Sequence, residues 1–275
     1  MAGSFSKSSK SLVNSKKWII QLGLFLAIAG CASQPPEKKF ESSDAPYNIA
    51  QNLQRNWEGN PAISSADYHF ALAQAYSNEG KVDRAIEEYR AAMAYDQESA
   101  ILHAKLAAEY LKKGSMSYAV DECKASLKID PSSVDVHLML GGIYSLNNET
   151  DRSLAEYESV LKMDPKNDEA AVFKTQVLAE KDRIDEALKF IRGFTAKVND
   201  SAAAWYYTGK LEQTKEHTNE AISAYRKALA IRSGFSQASL ALGLIFELNK
   251  ENAKAVQIYE AQLEEKQDIQ IAGRL

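Results

Sequence analysis

A small residue returns every 34 positions, at Ala85, Ala119, Ser153, Ala187, Ala221 and Ala255, and no gap is needed to keep the register. One residue later stands Ile86, Val120, Leu154, Leu188, Ile222 or Val256, and four later Tyr89, Cys123, Tyr157, Ile191, Tyr225 or Tyr259. Upstream, Leu72, Leu106, Leu140 and Leu242 share one place in the unit, and Tyr76, Tyr110, Tyr144 and Phe246 another. A period this long is one supersecondary unit copied along the chain. A lone unit cannot cover its apolar face, so stacked neighbours must share a core that runs along the array. Six units fill 66–269, at 66–99, 100–133, 134–167, 168–201, 202–235 and 236–269, and residues 270–275 open a seventh. Only 13 glycines and 6 prolines interrupt 275 residues, and Pro35, Pro36, Pro46 and Pro61 precede the units, so the units read as helices and the fold class as all-α.

The unit resembles the tetratricopeptide repeat, in which Leu-Gly, Tyr, Ala, an aromatic and Pro stand at fixed offsets within 34 residues. Leu140-Gly141, Tyr144, Ser153, Tyr157 and Pro165 of the third unit carry the resemblance. It implies a TPR α-solenoid, a right-handed superhelix of helix-turn-helix repeats. The small slot is where paired helices cross too closely for a larger side chain, and the aromatics fill the wider ends of that interface. Asp130-Pro131 and Asp164-Pro165 stop second helices, because proline disfavours helical geometry in the residue before it. Ser132 and Asn167 are expected to cap the helices that follow, and Gly80 and Gly114 to turn the chain within a pair. Unit four departs from the pattern at Lys174-Thr175 and Leu178, and unit five at Glu212.

Residues 1–30 lie outside this scheme. Lys7, Lys10, Lys16 and Lys17 precede an apolar run from Trp18 to Ala29, and small residues lead to Cys31, the three-part layout of a secretory signal. The run is shorter than the roughly 20 residues a spanning helix needs. Ile28-Ala29-Gly30-Cys31 resembles the bacterial lipoprotein box, which implies acylation of Cys31 with a fatty acid such as palmitate and removal of the leader. In that family Ala32, where an inner-membrane signal would have Asp, implies the outer membrane, facing the periplasm. Loss of four lysines leaves 29 basic residues against 37 acidic ones, so the formal charge of −4 becomes −8 and lipid on Cys31 would be the whole anchor. Cys123 then has no partner for a disulfide and reads as a buried small hydrophobe.

Residues 31–65 form the lipidated cysteine, a polar tether and a short helix. Ile49, Leu53 and Trp57 are spaced by four between Pro46 and Gly59-Asn60-Pro61, either to cap the first unit or to dock a partner. An acidic chain offers no basic surface for nucleic acid. Phosphate-loop, H-E-x-x-H, C-x-x-C and G-x-S-x-G patterns are absent from the sequence, so no catalytic residue, metal or cofactor is assigned. His69, His103 and His137 repeat at 34 residues, a separation of whole units that keeps three imidazoles from one metal. The acid pairs Glu87-Glu88 and Glu264-Glu265 read as solvated charge on second helices.

A non-enzymatic binding role remains. In the resembled family the first helices line a concave groove, which here implies Phe70, Gln74, Leu111, Leu138 and Leu146 in the first three units. Val172, Gln176, Tyr206, Lys210, Gln213, Leu240, Leu244 and Leu248 continue it. This mainly apolar lining suits an amphipathic helix or an extended apolar segment. The family's carboxylate clamp would need Lys and Asn where unit one has Phe70 and Gln74, so chaperone tails are disfavoured. Leader, tether and array together resemble periplasmic lipoprotein scaffolds of Gram-negative bacteria, including secretin pilotins and cell-wall hydrolase adaptors. Two other readings stay open: a self-associating structural component that uses the open carboxyl end, and the repeat region of a longer enzyme.

Overall fold

The computed structural model describes residues 66–265 and 268–275. Cys31, the leader, the tether and the helix expected at Ile49, Leu53 and Trp57 lie outside the described residues. Among the described residues there are thirteen helices. Six first helices are α1 (Ala66–Asn78), α3 (Ala100–Lys112), α5 (Val134–Leu146), α7 (Asp168–Glu180), α9 (Ala202–Thr214) and α11 (Ser236–Leu248). Each is followed by a second helix: α2 (Val82–Met93), α4 (Met116–Ile129), α6 (Thr150–Met163), α8 (Ile184–Thr195), α10 (Thr218–Ile231) and α12 (Asn252–Glu265). A last turn, α13, covers Ile269–Ala272. All first helices are 13 residues long and start 34 apart, so the period of the sequence is the period of the fold, an α-solenoid.

The turn within each pair is built the same way six times. Gly80 and Gly114 take left-handed backbone, with φ of 71° and 78°. Asn148, Asp182, Glu216 and Lys250 occupy the same place in the other units with φ of 62°, 59°, 63° and 63°. At each, the chain closes with an N–H to C=O bond five residues back, as from Lys81 to Tyr76 at 2.8 Å and from Glu251 to Phe246 at 2.8 Å. Only two of the six units use the residue that adopts this geometry without cost.

Between pairs, Asn167 caps α7 as expected, its side chain accepting from the Ala170 N–H at 2.8 Å. Ser132 does not cap α5. Its hydroxyl and N–H both turn back onto Asp130 Oδ1, at 2.7 and 3.0 Å, and hold the Asp130 carboxyl below its ordinary range. The aspartate before Pro131 thus stabilises the turn itself.

The small slot is fully enclosed at Ala85, Ala119, Ser153, Ala187 and Ala221. Ser153 satisfies its hydroxyl by donating to the Gly141 carbonyl at 2.7 Å, so the only polar member of the series costs no unpaired group. Packing gathers into clusters along the chain rather than around a centre, beginning with Leu72 to Leu106 and ending with Ala202 to Ile271.

At the carboxyl end the register slips. Asp268 caps α13 by accepting from the N–H groups of Gln270 and Ile271, at 2.9 and 3.3 Å, and the helix opens one residue ahead of the period. Ile271, its third residue, takes the place of Leu102, Val136, Ala170, Ala204 and Ala238 and is buried beside Tyr259. A fully buried isoleucine contributes about 2 kcal/mol, so this single turn covers part of the last interface.

Candidate functional site

First and second helices have different neighbours. The first helix α7 touches both α5 and α9 directly, and among the described residues no comparable contact joins two second helices. The first helices therefore form the inner row, and the side of that row facing away from the second helices is the surface on which the groove residues were expected.

The structure divides those residues by exposure. Gln74, Lys210 and Gln213 are exposed, and Leu248 is 79% exposed. Phe70, Leu111, Leu138, Leu146, Gln176, Tyr206, Leu240 and Leu244 are half-buried. Val172 is buried at 7% and belongs to the core cluster between units three and five, offering almost no surface. Phe70 sets its edge on the Tyr89 ring at 5.8 Å, and Tyr206 lies 5.8 Å from Tyr225 and 5.2 Å from Phe235. Leu138 and Leu240 are similarly seated against core clusters. These side chains support the array on one face and present apolar surface on the other.

Polar groups join the row at units four and five. Gln176 donates its amide to the Tyr207 hydroxyl across the α7–α9 contact, and Gln213 accepts from the Tyr225 hydroxyl at 2.9 Å. Burial pushes the Tyr207 phenol up to about 12, so it stays neutral as it accepts from Gln176. The Lys210 ammonium stands over the Tyr207 ring at 5.6 Å; although the residue is exposed, partial desolvation of the ammonium by its neighbours holds it below its ordinary range, and the Glu180 charge acts in the opposite direction. Such a face supplies apolar contact, amide hydrogen bonds and isolated charges.

Several pairings were not legible as pairs. His69, His103 and His137 each present Nδ1 to a carboxylate 19 residues on, Glu88, Glu122 and Glu156, at 2.7, 2.6 and 2.6 Å. Glu88 is thus half-buried and bonded, which corrects its reading as solvated charge, whereas Glu87, Glu264 and Glu265 are exposed. Nε2 of His137 faces the Pro131 carbonyl at 3.1 Å, and Trp205 Nε1 donates to the Asn199 carbonyl at 3.0 Å. The same place in the unit thus ties a first helix to the loop six residues before it. Each histidine serves its own repeat, and among the described residues no group of His, Cys, Asp and Glu is placed to hold a metal ion.

Two buried acids also needed the fold to explain them. Glu212, 2% exposed at the usual tyrosine position of unit five, receives Arg192 at 2.5 Å and His217 at 3.0 Å. Glu109, also 2% exposed, accepts from the Ser77 hydroxyl at 2.6 Å and from Lys112 at 2.7 Å through Oε1, while Oε2 has no partner among the described residues. Cys123 is fully buried and its thiol is pushed up to about 12 by burial, with smaller effects from Glu122 and Glu156, as suits a structural residue.

Paired antiparallel helices stacked at constant period, with an inner row that carries partly open apolar and amide side chains, define a helical-repeat binding scaffold. The chain belongs to the tetratricopeptide repeat family, whose model matches residues 70–134, 138–202 and 209–268. Arrays of this family are protein–protein interaction scaffolds. Among solved structures the chain is similar to YrrB, described as a TPR protein with an unusual peptide-binding site: 22% identity, TM-score 0.51, covering 70% of this chain and 98% of that one. It is similar to a chain of the APC/C hetero-tetramer Cut9-Hcn1, with 15% identity, TM-score 0.54 and coverage of 82% and 44%. It is also similar to TTC0263, a thermophilic TPR protein of Thermus thermophilus, with 16% identity, TM-score 0.50 and coverage of 66% and 99%. At these identities the likeness concerns the fold. Among curated proteins, no sequence matches the chain.

Proposed function

We propose that this chain is an exported scaffold, held at a membrane by lipid on Cys31, that grips a protein segment along the inner face of its first helices and takes no part in chemistry itself. The observation that carries the groove is the row of half-buried Phe70, Leu138, Tyr206 and Leu240, which keep apolar surface open although each also rests on the core. The anchor rests on Ile28-Ala29-Gly30-Cys31 behind a basic and then apolar leader. On this reading the process served is assembly in the envelope of a Gram-negative cell, at the periplasmic face of the outer membrane.

Photo-crosslinkers at the exposed groove positions Gln74, Lys210 and Gln213, compared with outer positions Glu87 and Glu264, test the groove in membranes. Crosslinks to a partner from the first set alone support it, and crosslinks from the outer set alone overturn it. Palmitate labelling lost in Cys31→Ser supports the anchor, and persistent labelling refutes it. A second reading, self-association, is favoured by Leu248 and Ile269, which are 79% and 92% exposed near an open cleft lined by Leu240, Tyr259 and Arg274. Sedimentation of the chain as a monomer at all concentrations would remove that reading.

A further inference from the structure

We propose that the segment held by this groove is basic and amphipathic, with apolar side chains on Phe70, Leu138, Tyr206 and Leu240 and lysines or arginines facing Asp67, Asp135 and Glu169. The proposal rests on the groove reading above and adds the charge of the partner to it.

The second residue of α1, α5 and α7 is Asp67, Asp135 and Glu169, three residues before Phe70, Leu138 and Val172 and so on the same face of each helix. None of the three forms an ion pair with any of the described residues. Acids elsewhere in the array do find cations: Asp83 is 2.6 Å from Lys113 and Asp185 is 2.8 Å from Lys215, each joining one unit to the next. Of the cations on the first helices, Lys112 is engaged by Glu109 and Ser77 at 2.7 Å each and Lys174 by Glu158 at 2.8 Å, Lys210 feels the charge of Glu180, and Lys105 is exposed. Asp67, Asp135 and Glu169 are therefore left without a paired cation beside the open apolar surface of Phe70 and Leu138.

Helix geometry accounts for part of this, since an acid in a first turn is favoured by the helix dipole. That effect gives no reason for Asp135 and Glu169 to stand on neighbouring first helices. Partial burial of Glu169, followed by the charges of Asp168 and Asp135, raises its carboxyl above the ordinary range. An arriving cation would relieve that repulsion, whereas an arriving anion would add to it.

A second, separate observation points the same way. Glu109 stands where the other units carry Ala75, Ile143, Val177, Leu211 and Ile245. A buried carboxylate with one oxygen unpaired is costly compared with the aliphatic residues at equivalent positions. Its partners Ser77 and Lys112 stand in the last turns of the first helices α1 and α3, and Ser77 lies seven residues after Phe70 on the same face, so this carboxylate adds a further acid to the same row.

The probes are three fluorescent synthetic peptides of about 18 residues with one shared leucine face and polar faces of lysine, glutamine or glutamate. Each is titrated with the purified full chain and followed by anisotropy. The lysine peptide is expected to bind about tenfold more tightly than the glutamine peptide, and the glutamate peptide most weakly. The lysine advantage is expected to shrink as salt rises from about 50 to 500 mM. Asp135→Asn with Glu169→Gln is expected to weaken the lysine peptide several-fold and leave the glutamine peptide unchanged. Equal binding of lysine and glutamine peptides, or no effect of the double variant, overturns the charge proposal and leaves the groove standing. Binding by none of the three overturns the groove reading and this inference with it.

Discussion

A Cβ atom added to Gly243 would collide with Cε1 of Tyr259, so the glycine of α11 and the ring of α12 are matched in size. Gly141 and Tyr157, and Gly209 and Tyr225, repeat the relationship, with an added Cβ 2.7 Å from the ring. Where the residue opposite is smaller, as at Cys123 or Ile191, the first helix carries Ala107 or Thr175 instead. Unit one pairs Ala73 with Tyr89, so its crossing accommodates a methyl group. Gly243→Ala and Gly209→Ala are expected to cost about 1 to 3 kcal/mol in urea unfolding, because the ring or the helix must move. Gly193, inside α8 with nothing within 4 Å of an added Cβ, makes the control: Gly193→Ala is expected to gain about 0.5 to 1 kcal/mol.

The left-handed turn residues give a prediction of the opposite kind. Glu216 and Lys250 hold φ of 63° with side chains exposed, so nothing in packing rewards them for that conformation. Glu216→Gly and Lys250→Gly are each expected to stabilise the array by about 1 kcal/mol. Thermal melts of the single and double variants check both the sign and the additivity.

The histidine–glutamate pairs invite a double-mutant cycle. His137 and Glu156 have side chains 13% and 20% exposed, so their bond is only partly screened. His137→Ala combined with Glu156→Ala is expected to give a coupling energy of about 1 kcal/mol. The equivalent cycle at Glu87, which is exposed, should give none.

Glu169 links stability to binding. Its carboxyl is raised in the folded chain, so the protonated form is the one the fold prefers, and its contribution is fully present below the unfolded value and lost as pH rises through the folded one. Glu169→Gln is therefore expected to unfold at higher temperature than the parent at neutral pH and to match it in acid. The same variant should hold the lysine peptide less well.

Cys123 reports on opening of the array. With its thiol pushed up to about 12 and no exposed surface, it is expected to resist iodoacetamide at pH 8 until denaturant reaches the unfolding transition. Rapid labelling in native buffer would show that units two and three open readily.

Fold and period were legible together, since Ala85 and its five counterparts mark contacts within a repeat that depend on local chain alone. Gly80 and Gly114 announced the left-handed turn, but Asn148, Asp182, Glu216 and Lys250 did not, because the turn is imposed by helix pairing rather than by the residue in it. Glu88 and Glu212 were misleading or unexplained for one reason: their partners lie 19 or 20 residues away on another helix, and one-dimensional periodicity carries no sign of which side chains meet. Val172 shows the remaining difficulty in the groove. It shares its place in the unit with Phe70 and Tyr206, yet being shorter it sinks into the core while they reach the surface.

The division of the apolar interior into successive clusters, none of them spanning the whole array, has a mechanical consequence. Free energy in such a chain is a sum over adjoining hairpins, as in a one-dimensional lattice, so the ends fray before the middle and a fault in one hairpin is felt mainly by its two neighbours. A pull applied at one terminus would peel the molecule in steps, each releasing about one hairpin, and leave the far hairpins able to hold what they had bound.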